Sequence, residues 1–105
     1  MAFRVNEDNF NKEVLESDMP VLVEFYSDSC IPCKQMAPIL GDLEDDYENK
    51  LKIAKVNVNF DGNIAENYKV MASPTFLFFN EGIEQNRFRG IAKKEELVEI
   101  INSIL

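Results

Sequence analysis

Histidine and tryptophan are absent from this chain of 105 residues, and cysteine occurs only twice. With no histidine and two cysteines, a mononuclear zinc site would need carboxylates or a second subunit to reach four ligands. Basic residues are scarce: 11 Lys and Arg against 19 Asp and Glu leave a net charge of −8. That balance argues against nucleic acid and against an anionic membrane surface as partners. No apolar run approaches a membrane span. The opening stretch, residues 1–7, has no apolar signal-peptide core. A cytoplasmic location is therefore expected, where thiols are kept reduced. A lone permanent structural disulfide would be unusual there, and one closing a short loop would constrain the unfolded chain least. There is no Gly-x-Gly-x-x-Gly motif and no room for a nicotinamide or flavin domain. Repeats, linkers and low-complexity tracts are also missing. What remains is one domain over residues 1–105, long enough to bury a core without staples.

The two cysteines stand three apart, in Cys30-Ile31-Pro32-Cys33. An apolar strand-like run, residues 20–26, precedes them, and a helix-period segment, residues 34–47, follows. A Cys-x-x-Cys pair between strand and helix is the signature of a dithiol–disulfide redox site. Residues i and i+3 share a helix face, and the pair can close into a disulfide where the first cysteine still lies outside the helix. The unpaired N–H groups and positive dipole end at that point also stabilise a thiolate. Cys30 is thus the expected nucleophile, the more exposed thiol with the lower pKa. Cys33, one turn in and more buried, is the expected resolving thiol. Pro32 suits a first helical turn, and it would also stiffen the loop between the cysteines. A zinc site and a purely structural disulfide are the competing readings of the pair.

Two charged residues interrupt apolar strands. Glu24 lies inside residues 20–26; burying it unpaired would cost several kcal/mol or raise its pKa until it neutralised. Lys55 lies inside a third strand, residues 51–58, with the parity of Leu51 and Ile53. The strands are expected to be neighbours, so Glu24 and Lys55 form either a structural ion pair or part of the site. Elsewhere the spacing predicts a strand at residues 3–5 and a helix capped by Asn6 or Asp8 and running to about residue 17. Pro38 should kink the second helix. A short helix follows at residues 63–68, then a hairpin of strands at 75–79 and 85–89, and a closing helix at 93–104. Strands alternating with helices predict a parallel core sheet, and the hairpin adds an antiparallel edge.

With these motifs in order, the chain resembles the thioredoxin family along essentially its whole length. Ser29-Cys30-Ile31-Pro32-Cys33-Lys34 stands where that family usually has Trp-Cys-Gly-Pro-Cys-Lys. Met36-Ala37-Pro38-Ile39-Leu40 resembles its second helix, Ser73-Pro74-Thr75 its cis-proline loop, and Gly82 and Gly90 its hairpin and late glycines. The resemblance implies a three-layer α/β/α sandwich around a mixed, mostly parallel five-stranded sheet with four flanking helices. It implies that Glu24 accepts the proton of Cys33 through water, that Lys55 tunes it, and that Pro74 is cis and faces the disulfide. Ser73 would then pair with an extended substrate, and Ile31, Pro32, Pro74, Gly90 and Ile91 would form an apolar patch around Cys30. The chain departs from the pattern at Ser29, Tyr26, Ile31, Met71 and Ser73.

The function so implied is thiol–disulfide exchange by a monomer that binds no cofactor beyond its Cys30–Cys33 disulfide. Its substrates would be disulfide-containing proteins, and a separate thioredoxin reductase would recharge it. The leading expectation is a general cytosolic protein-disulfide reductase. The alternatives are a dedicated donor to one partner such as a peroxidase, which the unusual Ser29 and Ile31 suggest, and a binding module whose redox state is irrelevant.

Overall fold

The protein is described from a computed structural model covering residues 3–105; Met1 and Ala2, which open the N-terminal stretch read above, lie outside the described residues. Five strands form one sheet in the order β1-β3-β2-β4-β5. They are β1 (Phe3–Arg4), β2 (Val21–Tyr26), β3 (Lys52–Asn57), β4 (Thr75–Asn80) and β5 (Ile83–Arg89). The helices are α1 (Asn11–Leu15), α2 (Ile31–Asp46), α3 (Gly62–Asn67) and α4 (Lys94–Ile104).

Strand alternation divides the core into two layers. From β2, Val21, Val23 and Phe25 pack with Phe10 and Val14 on one face of the sheet. Leu22 packs on the other face, with Met36, Leu40 and Leu43 of α2 and Leu97 and Ile101 of α4. Glu24 shares parity with Leu22, so its carboxylate enters the layer beneath α2.

β1, β3 and β2 run parallel, as the strand–helix alternation predicts. The antiparallel part is larger than the hairpin alone, because β4 already runs antiparallel to β2. The cause is the length of α3. Six residues of helix advance about 9 Å, whereas a six-residue strand is about 20 Å long. The chain leaving β3 is therefore not carried back to the start of the sheet, and β4 begins where β2 ends, with Thr75 opposite Phe25. β5 returns antiparallel and ends with Arg89 opposite Thr75. The end of β2 and the loops before β4 and after β5 thus meet at one edge.

The first helix also differs from its prediction. Asn6 Oδ1 accepts the N–H groups of Asp8 (2.9 Å) and Asn9 (3.1 Å) and so caps the turn before the helix, while the N-cap of the helix itself is Phe10, with no side-chain bond. The regular part, however, is a five-residue π-helix ending at Leu15. Ending there leaves the Glu13 carbonyl without its helical donor, and the Lys52 ammonium supplies one at 2.8 Å. α2 begins at residue 31, which sets Pro32 in its first turn as expected, and runs through Pro38 to residue 46.

Candidate active site

Cys30 and Cys33 are joined in a disulfide, with Cα atoms 5.2 Å apart. Cys30 is the N-cap of α2: its backbone is extended (φ −82°, ψ 103°), and its Sγ accepts the Cys33 N–H at 3.1 Å. Ile31 and Pro32 complete the first turn, where proline's missing N–H leaves no helical bond unmade. Cys30 is 8 % exposed and Cys33 7 %, so exposure does not separate them in the disulfide form. The bond draws the Cys30 sulfur in against the first turn, and Ile31 takes the outer position at 67 % exposure. Position distinguishes the sulfurs: one lies before the helix and one within its first turn.

The loop before Cys30 is held by contacts that the sequence reading missed. The Asp28 N–H donates to Asn59 Oδ1 (2.9 Å), the Asn59 N–H to Asn57 Oδ1 (2.9 Å), and Asn57 Nδ2 to Asp28 Oδ1 (2.8 Å). This closed ring ties the loop to the end of β3, and Asn57 is buried at its centre. The available signal was Asn57 itself, a polar residue between Val56 and Val58.

The loop before β4 forms the adjoining wall. The Ser73-Pro74 peptide is cis, as the resemblance implied. Ser73 Oγ lies 3.4 Å from Ser27 Oγ, and the Ser27 carbonyl accepts the Cys30 N–H at 3.3 Å. Thr75 Oγ1 closes the loop onto the Ala72 carbonyl at 2.7 Å. The Gly90 N–H donates to the Pro74 carbonyl at 2.8 Å, which joins the β5 end to the same wall. Gly90 has φ +88°, and open space surrounds the position a Cβ would take. Ile91 and Met71 are exposed, Met71 by 92 %. The structure thus gathers Cys30, Cys33, Ser73, Pro74 and Gly90 at one edge, with Ile31, Ile91 and Met71 as exposed apolar groups of its loops.

Glu24 is 1 % exposed and faces Lys55 across β2 and β3. Lys55 Nζ is 3.8 Å from Glu24 Oε1, while Oε2 is buried without a hydrogen-bond partner. Burial pushes the Glu24 carboxyl up from 4.5 to about 7, and the Lys55 charge opposes that rise without cancelling it. A cleft of about 220 Å³, lined by Cys33, Lys55, Tyr26, Ser27, Asp28 and Lys34, brings Lys55 and the second cysteine to a common space. The other buried carboxylate, Asp61, ties down the N-terminus instead: it accepts the Glu7 N–H and sits 3.6 Å from Arg4 Nη2. Among the described residues, no group of three His, Cys, Asp or Glu side chains is placed to hold a metal ion. Among the same residues, no helix is long and apolar enough to cross a membrane.

The family model for thioredoxin matches residues 1–103. The thioredoxin of Rickettsia felis is 37% identical over 102 residues, covering 97% of each chain. That of Acidithiobacillus ferridurans is 37% identical over 101 residues, covering 96% of this chain and 94% of its own. Thioredoxin 1 of a Nostoc species is 34% identical over 104 residues, covering 99% and 97% respectively.

Proposed function

This chain belongs to the thioredoxin family and is a thiol–disulfide oxidoreductase; on that premise we propose that it is a general protein-disulfide reductase of the cytoplasm, a single domain recharged by a separate reductase. The observation that carries the reading is the Cys30–Cys33 disulfide at the start of α2, beside a cleft that Cys33 lines together with Lys55, the ion-pair partner of Glu24.

Starting from the dithiol, Cys30 loses its proton and its thiolate attacks one sulfur of a partner disulfide. The partner S–S bond breaks, one partner thiolate leaves and takes up a proton, and a Cys30–partner disulfide forms. Cys33 then gives its proton to Glu24 through water in the cleft and attacks the Cys30 sulfur. The second partner sulfur leaves as thiolate. Two electrons have passed to the partner, and Cys30–Cys33 is the oxidised product. The N-cap position favours Cys30 as the first nucleophile, because the positive end of the helix and one first-turn N–H face its sulfur. The Cys33 N–H at 3.1 Å from Cys30 Sγ supports this. A carboxyl pushed up to about 7 takes and returns a proton near neutral pH, which an ordinary glutamate does poorly. Lys55 limits how far that carboxyl rises. The cis turn at Pro74 supports a role for the Ser73 backbone in pairing with an extended substrate, as in strand addition. Ile31 and Ile91 would meet its apolar side chains.

The test is reduction of insulin by the protein with dithiothreitol as electron source. Turnover that disappears in Cys30→Ser is expected. Activity confined to a single natural partner would replace the general role with a dedicated one. Full cellular function after Cys30→Ser and Cys33→Ser together would make the protein a binding module.

A further inference from the structure

Tyr26, the last residue of β2, meets the site in a way its position alone does not announce. Glu24 and Tyr26 are two apart in one strand, so both side chains leave the same face of the sheet. Lys55 is the register partner of Glu24 in β3. Its ammonium lies 3.8 Å from Glu24 Oε1 and 4.6 Å from the centre of the Tyr26 ring. Charge-assisted N–H···O bonds settle at about 2.7–2.9 Å. This one stops roughly an ångström short, while Glu24 Oε2 beside it goes without a partner. A ring face within about 6 Å attracts an ammonium whatever the state of a neighbouring carboxyl. The ammonium is therefore shared between ring and carboxylate when Glu24 is ionised, and it has the ring to itself when Glu24 is protonated.

We infer that Tyr26 is a positioning residue for the buried carboxylate: its ring holds the Lys55 ammonium at the mouth of the cleft and keeps it from closing on Glu24. The inference rests on the reading of Glu24 as the proton acceptor for Cys33. A closed ion pair would hold Glu24 as a permanent anion with little affinity for that proton. A withdrawn ammonium leaves the carboxyl able to titrate. The cleft of about 220 Å³ that Lys55 shares with Cys33 exceeds the roughly 10–15 Å³ of accessible space that one water needs. The remaining charged groups lining the cleft are Asp28 and Lys34, and Cys33 is held in the disulfide. Asp28 is engaged by Asn57, and β4 offers Glu24 only the apolar Phe76.

The experiment follows the Glu24 side-chain carboxyl carbon by NMR across pH in the oxidised protein. Tyr26→Phe keeps the ring face and should keep the midpoint. Tyr26→Leu frees the ammonium. Closing the pair from 3.8 Å to about 2.8 Å, at an effective dielectric constant near 20, should lower the midpoint by about one unit, a tenfold change in proton affinity. Combined with Lys55→Met, Tyr26→Leu should lose this effect, because the ring acts through the ammonium. Tyr26→Met is a second ring-free variant should the leucine variant not fold. An unchanged midpoint in the ring-free variant overturns the inference. So does a shift that persists undiminished alongside Lys55→Met, which would mean that the ring only shields the carboxyl from water. A shift in Tyr26→Phe equal to that in Tyr26→Leu would move the effect to the hydroxyl and also overturn it. None of these readouts depends on turnover, so a failure of Glu24 as proton acceptor appears separately, in the resolution rate of Glu24→Gln.

Discussion

Replacing Glu24 with glutamine should stabilise the protein, and by an amount that depends on pH. The folded-state carboxyl is pushed from 4.5 to about 7, with burial as the larger cause and Lys55 opposing. Below pH 4.5 the group is protonated whether the chain is folded or not. Between 4.5 and 7 the unfolded chain releases the proton while the folded protein keeps it. The folded state then binds more protons, and stability falls as pH rises. Above 7 the group is ionised in both states and the full penalty stands. A displacement of this size corresponds to about 3 kcal/mol at 1.36 kcal/mol per unit, a large share of the roughly 5–15 kcal/mol that stabilises a typical domain. The amide cannot ionise, so Glu24→Gln lacks this dependence. Any fixed difference between amide and protonated carboxyl adds the same offset at every pH and leaves the slope untouched. Urea unfolding of both oxidised proteins between pH 4.5 and 8 measures it. The gap should widen by about 3 kcal/mol across that range, which at an m-value of about 1–3 kcal/mol/M moves the relative midpoint by about 1 M or more. A gap that stays flat from pH 5 to 8 would refute the reasoning, because Glu24 would then titrate as it does in the unfolded chain.

Cys33→Ser should trap mixed disulfides through Cys30, since attack survives and resolution does not, while Cys30→Ser should trap none. Equal trapping yields on non-reducing gels would remove the assignment of nucleophile and resolver. Asn57→Ala opens the hydrogen-bonded ring behind the Cys30 loop and strands the Asn59 N–H, at a cost of about 1–3 kcal/mol. Hydrogen exchange at the Asp28 and Asn59 amides should speed up with it, and unchanged exchange would show that the ring does not hold the loop. Gly82 has φ +78°, and a Cβ there would come within 2.7 Å of the Leu15 carbonyl oxygen. Gly82→Ala should therefore cost about 1–3 kcal/mol, and an undiminished melting temperature would show that the hairpin turn moves freely away from α1.

The sequence exposes those parts of this fold that rest on local pattern. Continuous apolar runs locate β2 and β4, which bury both faces, and period-3.6 spacing locates the two long helices, each of which must bury one face. The Cys-x-x-Cys pair and the charged interruptions at Glu24 and Lys55 are legible for the opposite reason: each breaks a local rule where a compensating partner has to exist. The reversal of β4 is harder to see, since it depends on how far a short helix carries the chain and not on any residue in the strand itself. The early stop of α1 is invisible for a similar reason. The group that completes it, Lys52, lies 39 residues from Glu13. The ring of Asp28, Asn57 and Asn59 joins a loop residue to two residues about 30 further on, and only the polar Asn57 between two valines hints at it.

The environment of Glu24 reads as a compromise between two requirements. Stability alone favours a closed ion pair with Lys55 or an apolar residue at position 24, since an ionised carboxylate with one oxygen unpartnered is among the costlier groups a core can hold. Proton transfer near neutral pH favours a carboxyl that is neither locked as an anion nor permanently neutral. The register of β2 on β3 makes the closed pair available by setting Lys55 directly opposite Glu24. The glutamate side chain is long and flexible enough to reach for it, yet the separation is 3.8 Å. Something other than reach therefore sets that distance, and the competing attraction of the Tyr26 ring for the same ammonium is the contact that does so. On this view the penalty above pH 7 and the ability to accept a proton from Cys33 share one physical origin. A change at Tyr26 or Lys55 should then move stability and the resolving step together.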